Sequence, residues 1–146
     1  MFADCSLWDF RLSRIIIEVR FVRDWARKIK EKQITVGVLG LAYKKDIDDL
    51  RESPSIELIE LLRQKGARVD YNDPYIPRTH KQRRHNLRMA SKKLSAIMLA
   101  GYDVVLISTD HSDYDYNWIV KNAKLVVDAR NATAAVRGAA RKVIKA

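Results

Sequence analysis

The chain has 146 residues, with 28 Lys+Arg against 18 Asp+Glu for a formal net charge of +10, and it is 47% hydrophobic and 32% charged. One domain of ~100–150 residues with an added helix fits that length, and the balance of apolar and charged residues excludes disordered and fibrous classes. Apolar runs such as Ile15–Ile17 and Val104–Ile107 fall far below the ~20 residues that cross a bilayer, so no transmembrane segment and no membrane partner are expected.

The N-terminus carries Asp4 and no basic segment ahead of an apolar stretch, so no signal peptide is predicted. Cys5 is the single cysteine, which rules out an internal disulfide and suits a reducing, cytoplasmic setting. From Leu12 to Lys32 the apolar residues Leu12, Ile15, Ile16, Val19, Val22, Ala26 and Ile29 recur near helical spacing, and the basic turn Arg27–Lys30 complements the negative end of a helix dipole. An amphipathic helix is predicted there. A boundary near Gln33 divides the chain into a leading segment, 1–32, and an α/β unit, 33–146.

Ile34–Leu39 is apolar and partly β-branched, as in a strand buried on both faces. Ser53-Pro54 starts a helix, with Ser as N-cap and Pro at the first helical position, and Gly66 is placed to end it. Ala67–Tyr71 reads as a second strand, stopped by Asn72-Asp-Pro74. After Pro77 the expectation is a loop, a short strand near Leu87–Met89 and a helix from about Lys92 to Leu99 capped by Ser91, with one continuous helix from Thr79 to Ala100 as the competing reading. Asp103–Ser108 is a strand, Asp115–Asn122 a short helix, Lys124–Asp128 a strand and Ala134–Lys145 a C-terminal helix or frayed tail. The alternation predicts an α/β class: a Rossmann-like parallel sheet with helices on both faces, preceded by the N-terminal helix.

The positive charge is uneven. No acid occurs between Pro74 and Tyr102, where Arg78, Lys81, Arg83, Arg84, Arg88, Lys92 and Lys93 sit, and none follows Asp128. Such a surface attracts polyanions or phosphate-bearing metabolites, or is a solvated face without a ligand. His80 and His85 have no Cys or acid partners at metal spacing, so no metal site is predicted. His111 is either a ligand contact or a satisfied loop residue, and Tyr116 and Trp118 read as packing residues.

The connection Gly40-Leu-Ala-Tyr-Lys-Lys-Asp-Ile-Asp-Asp-Leu-Arg-Glu-Ser-Pro54 lies where ligands bind in open α/β sheets, beyond a strand's carboxyl end. The glycines read Gly37-x-x-Gly40-x-Ala42 and the helix waits until Ser53, so the G-x-G-x-x-G dinucleotide fingerprint is not met. Lys44 and Lys45 offer ammonium charges for phosphate, and Arg51 a planar fork. Asp46, Asp48 and Asp49 are candidates to orient those cations or to bind sugar hydroxyls. A loop whose charges satisfy one another is the alternative.

This connection resembles the G-x-A-[FY]-K-x-x-[TI]-x-D-x-R-x-S-P signature of the UDP-glucose/GDP-mannose dehydrogenase family, at the opening of its C-terminal UDP-binding domain. Val69-Asp-Tyr-Asn-Asp-Pro-Tyr75 and Asp103–Arg130 agree with later strands of the family in order and spacing. Tyr43-Lys-Lys-Asp-Ile-Asp-Asp49, Thr109-Asp-His111 and Val127-Asp-Ala-Arg-Asn-Ala-Thr133 look most like UDP-N-acetyl-hexosamine 6-dehydrogenases. The resemblance implies that Tyr43, Lys44 and Arg130 contact a UDP-sugar and that Arg51 reaches the phosphates of NAD bound on another domain. It also implies a homo-oligomer paired through the N-terminal helix.

The family's catalytic parts, a G-x-G-x-x-G domain and a Gly-Gly-x-Cys nucleophile, do not occur in this sequence. Holding the aldehyde of a two-step oxidation requires that thiol, and Cys5 lacks its context. No catalytic residue is therefore assigned, and the chain alone is expected to be inactive, lacking the N-terminal NAD domain. The alternatives are a stand-alone basic nucleotide- or nucleic-acid-binding module and a structural dimerisation domain. No helix-turn-helix, RRM or zinc pattern supports nucleic acid.

Overall fold

A computed structural model describes residues 33–51 and 53–145. The helix expected over Leu12–Lys32, and with it the leading segment 1–32, lies outside the described residues.

β1 (Thr35–Leu39) leads through the charged connection to α1 (Pro54–Gln64), then β2 (Arg68–Asn72), α2 (Ala96–Gly101), β3 (Val104–Ile107), α3 (Tyr116–Asn122), β4 (Val126–Asp128) and β5 (Val143–Lys145). The strands form one parallel sheet in the order β2-β1-β3-β4-β5. Alternate residues of each strand face opposite layers. Val36, Val38, Val104, Leu106 and Val127 pack with Ile56, Leu58, Ile59 and Leu62 of α1, whereas Leu39, Val105, Ile107 and Val126 pack with Leu99 of α2 and Ile119 and Val120 of α3. The sheet is thus covered on both faces, and each fully buried aliphatic side chain contributes ~1.5–3 kcal/mol.

Helix α1 starts as its sequence dictates. Ser53 Oγ accepts from the Ser55 N–H and donates to the Leu41 carbonyl at 2.5 Å, and Pro54 occupies the first turn. At the other end Gly66, with φ +96, turns the chain into β2.

Three expectations fail for tertiary reasons. The helix placed at Lys92–Leu99 is α2, four residues later, capped by Ser95, whose Oγ accepts from Met98 N–H. Ser91 is engaged elsewhere: its Oγ accepts from Asp73 N–H, and Lys92 N–H donates to the Tyr71 carbonyl, so these residues run along the end of β2. No strand forms at Leu87–Met89 and no helix crosses Thr79–Ala100; residues 78–90 fold as an arm closed by an antiparallel bridge between Arg78 and Ala90. The C-terminal helix or frayed tail expected over Ala134–Lys145 is replaced by turns, a short 3-10 turn at Ala139–Arg141 and β5. Gly138 takes φ +70, which breaks helical progression, and the open edge of β4 supplies hydrogen bonds that an isolated Ala-rich segment lacks.

Candidate functional site at the carboxyl edge of the sheet

The register sets the site. Leu39 pairs with Asn72 and Ile107, and Ile107 pairs with Asp128, so Gly40, Asp73, Ser108 and Ala129 emerge at one level from four parallel strands. The chain turns from β1 toward β2 on one side and places β3 on the other, which makes the β1–β3 junction the point where strand order reverses.

Asp73 organises that edge. Its carboxylate is buried, 1% exposed. Oδ2 accepts from the backbone N–H of Leu41 (2.7 Å) and Ala42 (2.9 Å) and lies 2.8 Å from His111 Nε2, while Oδ1 accepts from Tyr75 N–H (2.8 Å). Burial pushes the carboxyl up, but the His111 and backbone hydrogen bonds outweigh it and hold the group below the usual carboxylate range. His111 is fully buried, and its Nδ1 accepts from the Asp46 N–H at 2.8 Å. One ring nitrogen therefore accepts and the other donates, which assigns the neutral tautomer protonated on Nε2.

Asp46 returns the contact. Its carboxylate accepts from the backbone N–H of Ser112 (2.7 Å) and from the Ser112 hydroxyl (2.6 Å), and both bonds lower its pKa. Asp46 holds φ +61, a conformation short acidic side chains tolerate. The loops after β1 and β3 are thus latched at both ends. Thr109 Oγ1 donates to the Ala42 carbonyl at 2.7 Å, and Gly40, at φ +87, lets the two backbones touch: a Cβ there would lie 2.5 Å from the Thr109 carbonyl oxygen.

On this frame sit the residues singled out from sequence. Tyr43 follows the latched Ala42, with its N–H donating to the Asp49 carbonyl, and the Lys44 ammonium lies 5.7 Å from the Tyr43 ring centroid. Arg130 is carried by the loop after β4; its Nε donates to the Ser108 carbonyl at 3.3 Å and its N–H to Asp128 Oδ1. Arg130 is held on the Ser108 carbonyl, and Tyr43 and Lys44 directly follow Ala42, whose carbonyl is held by Thr109, so all three are carried by backbone anchored at the end of β3. Arg51 is not part of that group. It is clamped by Asp49 (Nε–Oδ1 3.1 Å, Nη2–Oδ2 3.2 Å) and faces a separate cleft toward α1 and the 78–90 arm.

The helix start offers no phosphate cradle. Ser53, Pro54 and Ser55 are buried, and Ser55 Oγ shares a 2.5 Å hydrogen bond with Ser108 Oγ. Charge recognition at this edge falls to side chains. Sequence reasoning passed over the buried polar residues Asp73, Ser108, Thr109 and Asp128; their one signal is a polar side chain immediately at or after the last apolar residue of a strand. His111 proves to be a satisfied residue of the frame. Tyr116, expected to pack, donates its hydroxyl to the His111 carbonyl at 2.7 Å and packs with Trp118 in the α3 layer. Among the described residues no group of three or more His, Cys, Asp or Glu is placed to hold a metal, and no helix is long and apolar enough to cross a membrane.

The model of the UDP-glucose/GDP-mannose dehydrogenase family, UDP binding domain, matches residues 37–135, more than half of the chain. The chain belongs to that family. The matched region contains the whole latched edge, from Gly40 to Thr133. The UDP-N-acetyl-D-mannosamine dehydrogenase of Pyrococcus horikoshii is 34% identical over 108 residues, covering 70% of this chain and 23% of the relative. The UDP-glucose 6-dehydrogenase of Haloferax volcanii is 34% identical over 98 residues, covering 65% and 22%. The solved structure of the Pyrococcus horikoshii UDP-D-ManNAc dehydrogenase superposes with a TM-score of 0.59 at 25% identity, covering 81% of this chain and 27% of that one. The chain spans about a quarter of the length of the relatives it matches. Family membership accounts for the expected connection signature and for the Rossmann-like sheet.

Proposed function

We propose that residues 33–146 form the UDP-sugar-binding domain of an NAD-dependent UDP-sugar 6-dehydrogenase, acting on a UDP-N-acetyl-hexosamine, and that residues 1–32 connect it to the rest of the enzyme. The observation that carries this reading is the tethering of Tyr43, Lys44 and Arg130 to one strand end at the reversal of strand order, beside a helix N-terminus that is buried and capped. With no helix terminus to receive it, a diphosphate is met by the Lys44 ammonium, with Tyr43 packing along the ligand and Arg130 closing from the β4 side. The Asp73–His111–Asp46 latch holds the loop so that these groups need no reordering on binding, which lowers the entropic cost of capture. The N-acetyl sugar is supported by the similarity to a UDP-N-acetyl-D-mannosamine dehydrogenase.

NAD supplies hydride acceptance in such an enzyme. Arg51, 83% exposed and oriented by Asp49, fits a contact to the outer edge of its diphosphate. The described residues build no dinucleotide cradle of their own, so cofactor binding and oxidation are assigned to the other domain. The chain alone binds UDP and oxidises nothing, and pairing of subunits runs through the leading segment 1–32.

Calorimetric titration of the full chain with UDP, UDP-GlcNAc and a short DNA duplex tests this. UDP binding abolished by Lys44→Ala, with unchanged thermal stability, is the expected result. Binding of DNA with no response to UDP would overturn the proposal and favour a nucleic-acid-binding module.

A further inference from the structure

The basic arm is a built element with its own cleft. Its strands close through Thr79 N–H to the Met89 carbonyl (2.9 Å) and Gln82 N–H to the His85 carbonyl (2.8 Å). It is pinned along α1 at three points: His85 Nδ1 lies 2.9 Å from the Glu60 carboxylate, Arg63 Nη1 donates to the Leu87 carbonyl at 3.3 Å, and Leu87 is buried in the core. Between its tip and the Arg51 turn is a cleft of ≈ 540 Å³. Among the described residues, Arg51, Lys81, Arg83 and Arg84 line it against one carboxylate, Glu57. Two neighbouring acids, Asp49 and Glu60, are spent on Arg51 and His85, so the cations outnumber the anions inside the cleft.

A further observation marks this cleft. Gln82, also in its wall, carries a side-chain Nε2 that is buried and has no hydrogen-bond partner among the described residues. A buried donor left unmade costs ~1–3 kcal/mol, a cost that an arriving acceptor oxygen removes. Arg51 already has Asp49, but Lys81, Arg83, Arg84 and the waiting donor all call for oxygen acceptors carrying negative charge.

We propose that this cleft binds a chain of three linked phosphates, the triphosphate of a nucleotide or an inorganic polyphosphate, and takes a diphosphate such as that of UDP far more weakly. Its volume lies in the ~300–1,000 Å³ range of small-molecule sites. Nucleic acid fits less well, because among the described residues no Phe, Tyr or Trp lines the cleft to stack a base. The arm's attachment to α1 holds the cations in place before the ligand arrives, so mutual repulsion is already borne by the fold. The proposal stands independently of UDP binding at Lys44, since neither Lys44, Tyr43 nor Arg130 lines this cleft.

Titration of the full chain with tripolyphosphate, ATP and a short DNA duplex, at low and at physiological salt, tests the site. Tripolyphosphate and ATP are expected to bind with similar affinity that falls as salt rises. Arg83→Ala/Arg84→Ala, on the exposed tip, is expected to weaken tripolyphosphate by about tenfold or more through lost charge-assisted hydrogen bonds, with UDP affinity retained. Gln82→Leu separates binding from structure: it leaves thermal stability equal or higher while weakening the anion. Unchanged tripolyphosphate affinity in the double variant, absence of binding in the wild type, or tighter binding of the duplex than of tripolyphosphate overturns the proposal. If UDP affinity instead follows Arg83 and Arg84 and ignores Lys44, the phosphate cleft stands and the UDP site proposed above falls.

Discussion

Asp73→Asn is the sharpest probe of the latched edge. The carboxylate serves four donors: three at Oδ2 (Leu41 N–H, Ala42 N–H and His111 Nε2) and one at Oδ1 (Tyr75 N–H). Asparagine keeps one acceptor. With its oxygen toward the three donors, its amide nitrogen confronts the Tyr75 N–H, which strands a buried donor at ~1–3 kcal/mol, and the remaining bonds weaken by about 1 kcal/mol each as the acceptor loses its charge. Relief of the desolvation of a buried charge offsets part of this, leaving a net loss of about 3 kcal/mol. Against a domain stability of ~5–15 kcal/mol that is a large fraction. Urea denaturation followed by tryptophan fluorescence measures it, and UDP titration of the same variant should show weaker binding, because Tyr43 and Lys44 directly follow Leu41 and Ala42. His111→Gln, which can still donate to Asp73, serves if the first variant does not fold; a loss of about 1 kcal/mol is expected. A stability change within about 0.5 kcal/mol for Asp73→Asn would refute the reasoning, since surface substitutions away from such networks are that small.

Other outcomes follow from the same geometry. Burial raises the pKa of Asp128, but the Thr133 hydroxyl, the N–H groups of Thr133, Arg130 and Ala132 prevail, and it stands at about 2 against 3.8 unperturbed. A carboxyl depressed in the folded state adds stability that is present above its unfolded pKa and lost as pH falls through the folded one. Stability should therefore drop by on the order of 2 kcal/mol between about pH 4 and pH 2, and Asp128→Asn should flatten that part of the profile. Gly40→Ala forces φ +87 on a residue with a Cβ and drives it into Thr109; a cost above about 2 kcal/mol in chemical denaturation is expected, and wild-type stability would contradict it. Arg130→Lys keeps the charge but loses the planar fork held on Ser108, so UDP affinity should fall while thermal stability holds; equal affinity would show that only charge matters there.

The sequence was legible where the signal is local. Ser53-Pro54 starts α1 because a cap oxygen and a proline without an N–H solve a problem confined to one turn, and Gly66 ends it because the chain there needs a positive φ. The apolar runs gave β1 and β3, since strands buried on both faces have no polar alternation to confuse them. The residues 78–95 were misread because the basic side chains carry no period, and what shapes them is remote: Glu60 and Arg63 of α1 pin the arm, and the end of β2 takes Ser91 and Lys92. Of the site, the cations Lys44, Arg51 and Arg130 could be named from the connection signature and the strand ends, but not that Arg51 turns to a cleft apart from the other two.

The sequence by itself determined the parallel α/β class and the chemistry on offer, because periodicity, capping and side-chain type are written within a few residues. Only tertiary structure decided that His111 bridges the Asp73 carboxylate and the Asp46 N–H, 38 and 65 positions away in the chain. It alone decided, too, that Val143–Lys145 becomes a fifth strand, with the Lys145 ammonium 3.1 Å from the Asp128 carboxylate. The physical reason is the same in both cases: a buried donor or an open strand edge selects its partner by where the fold brings it, whatever the local propensity.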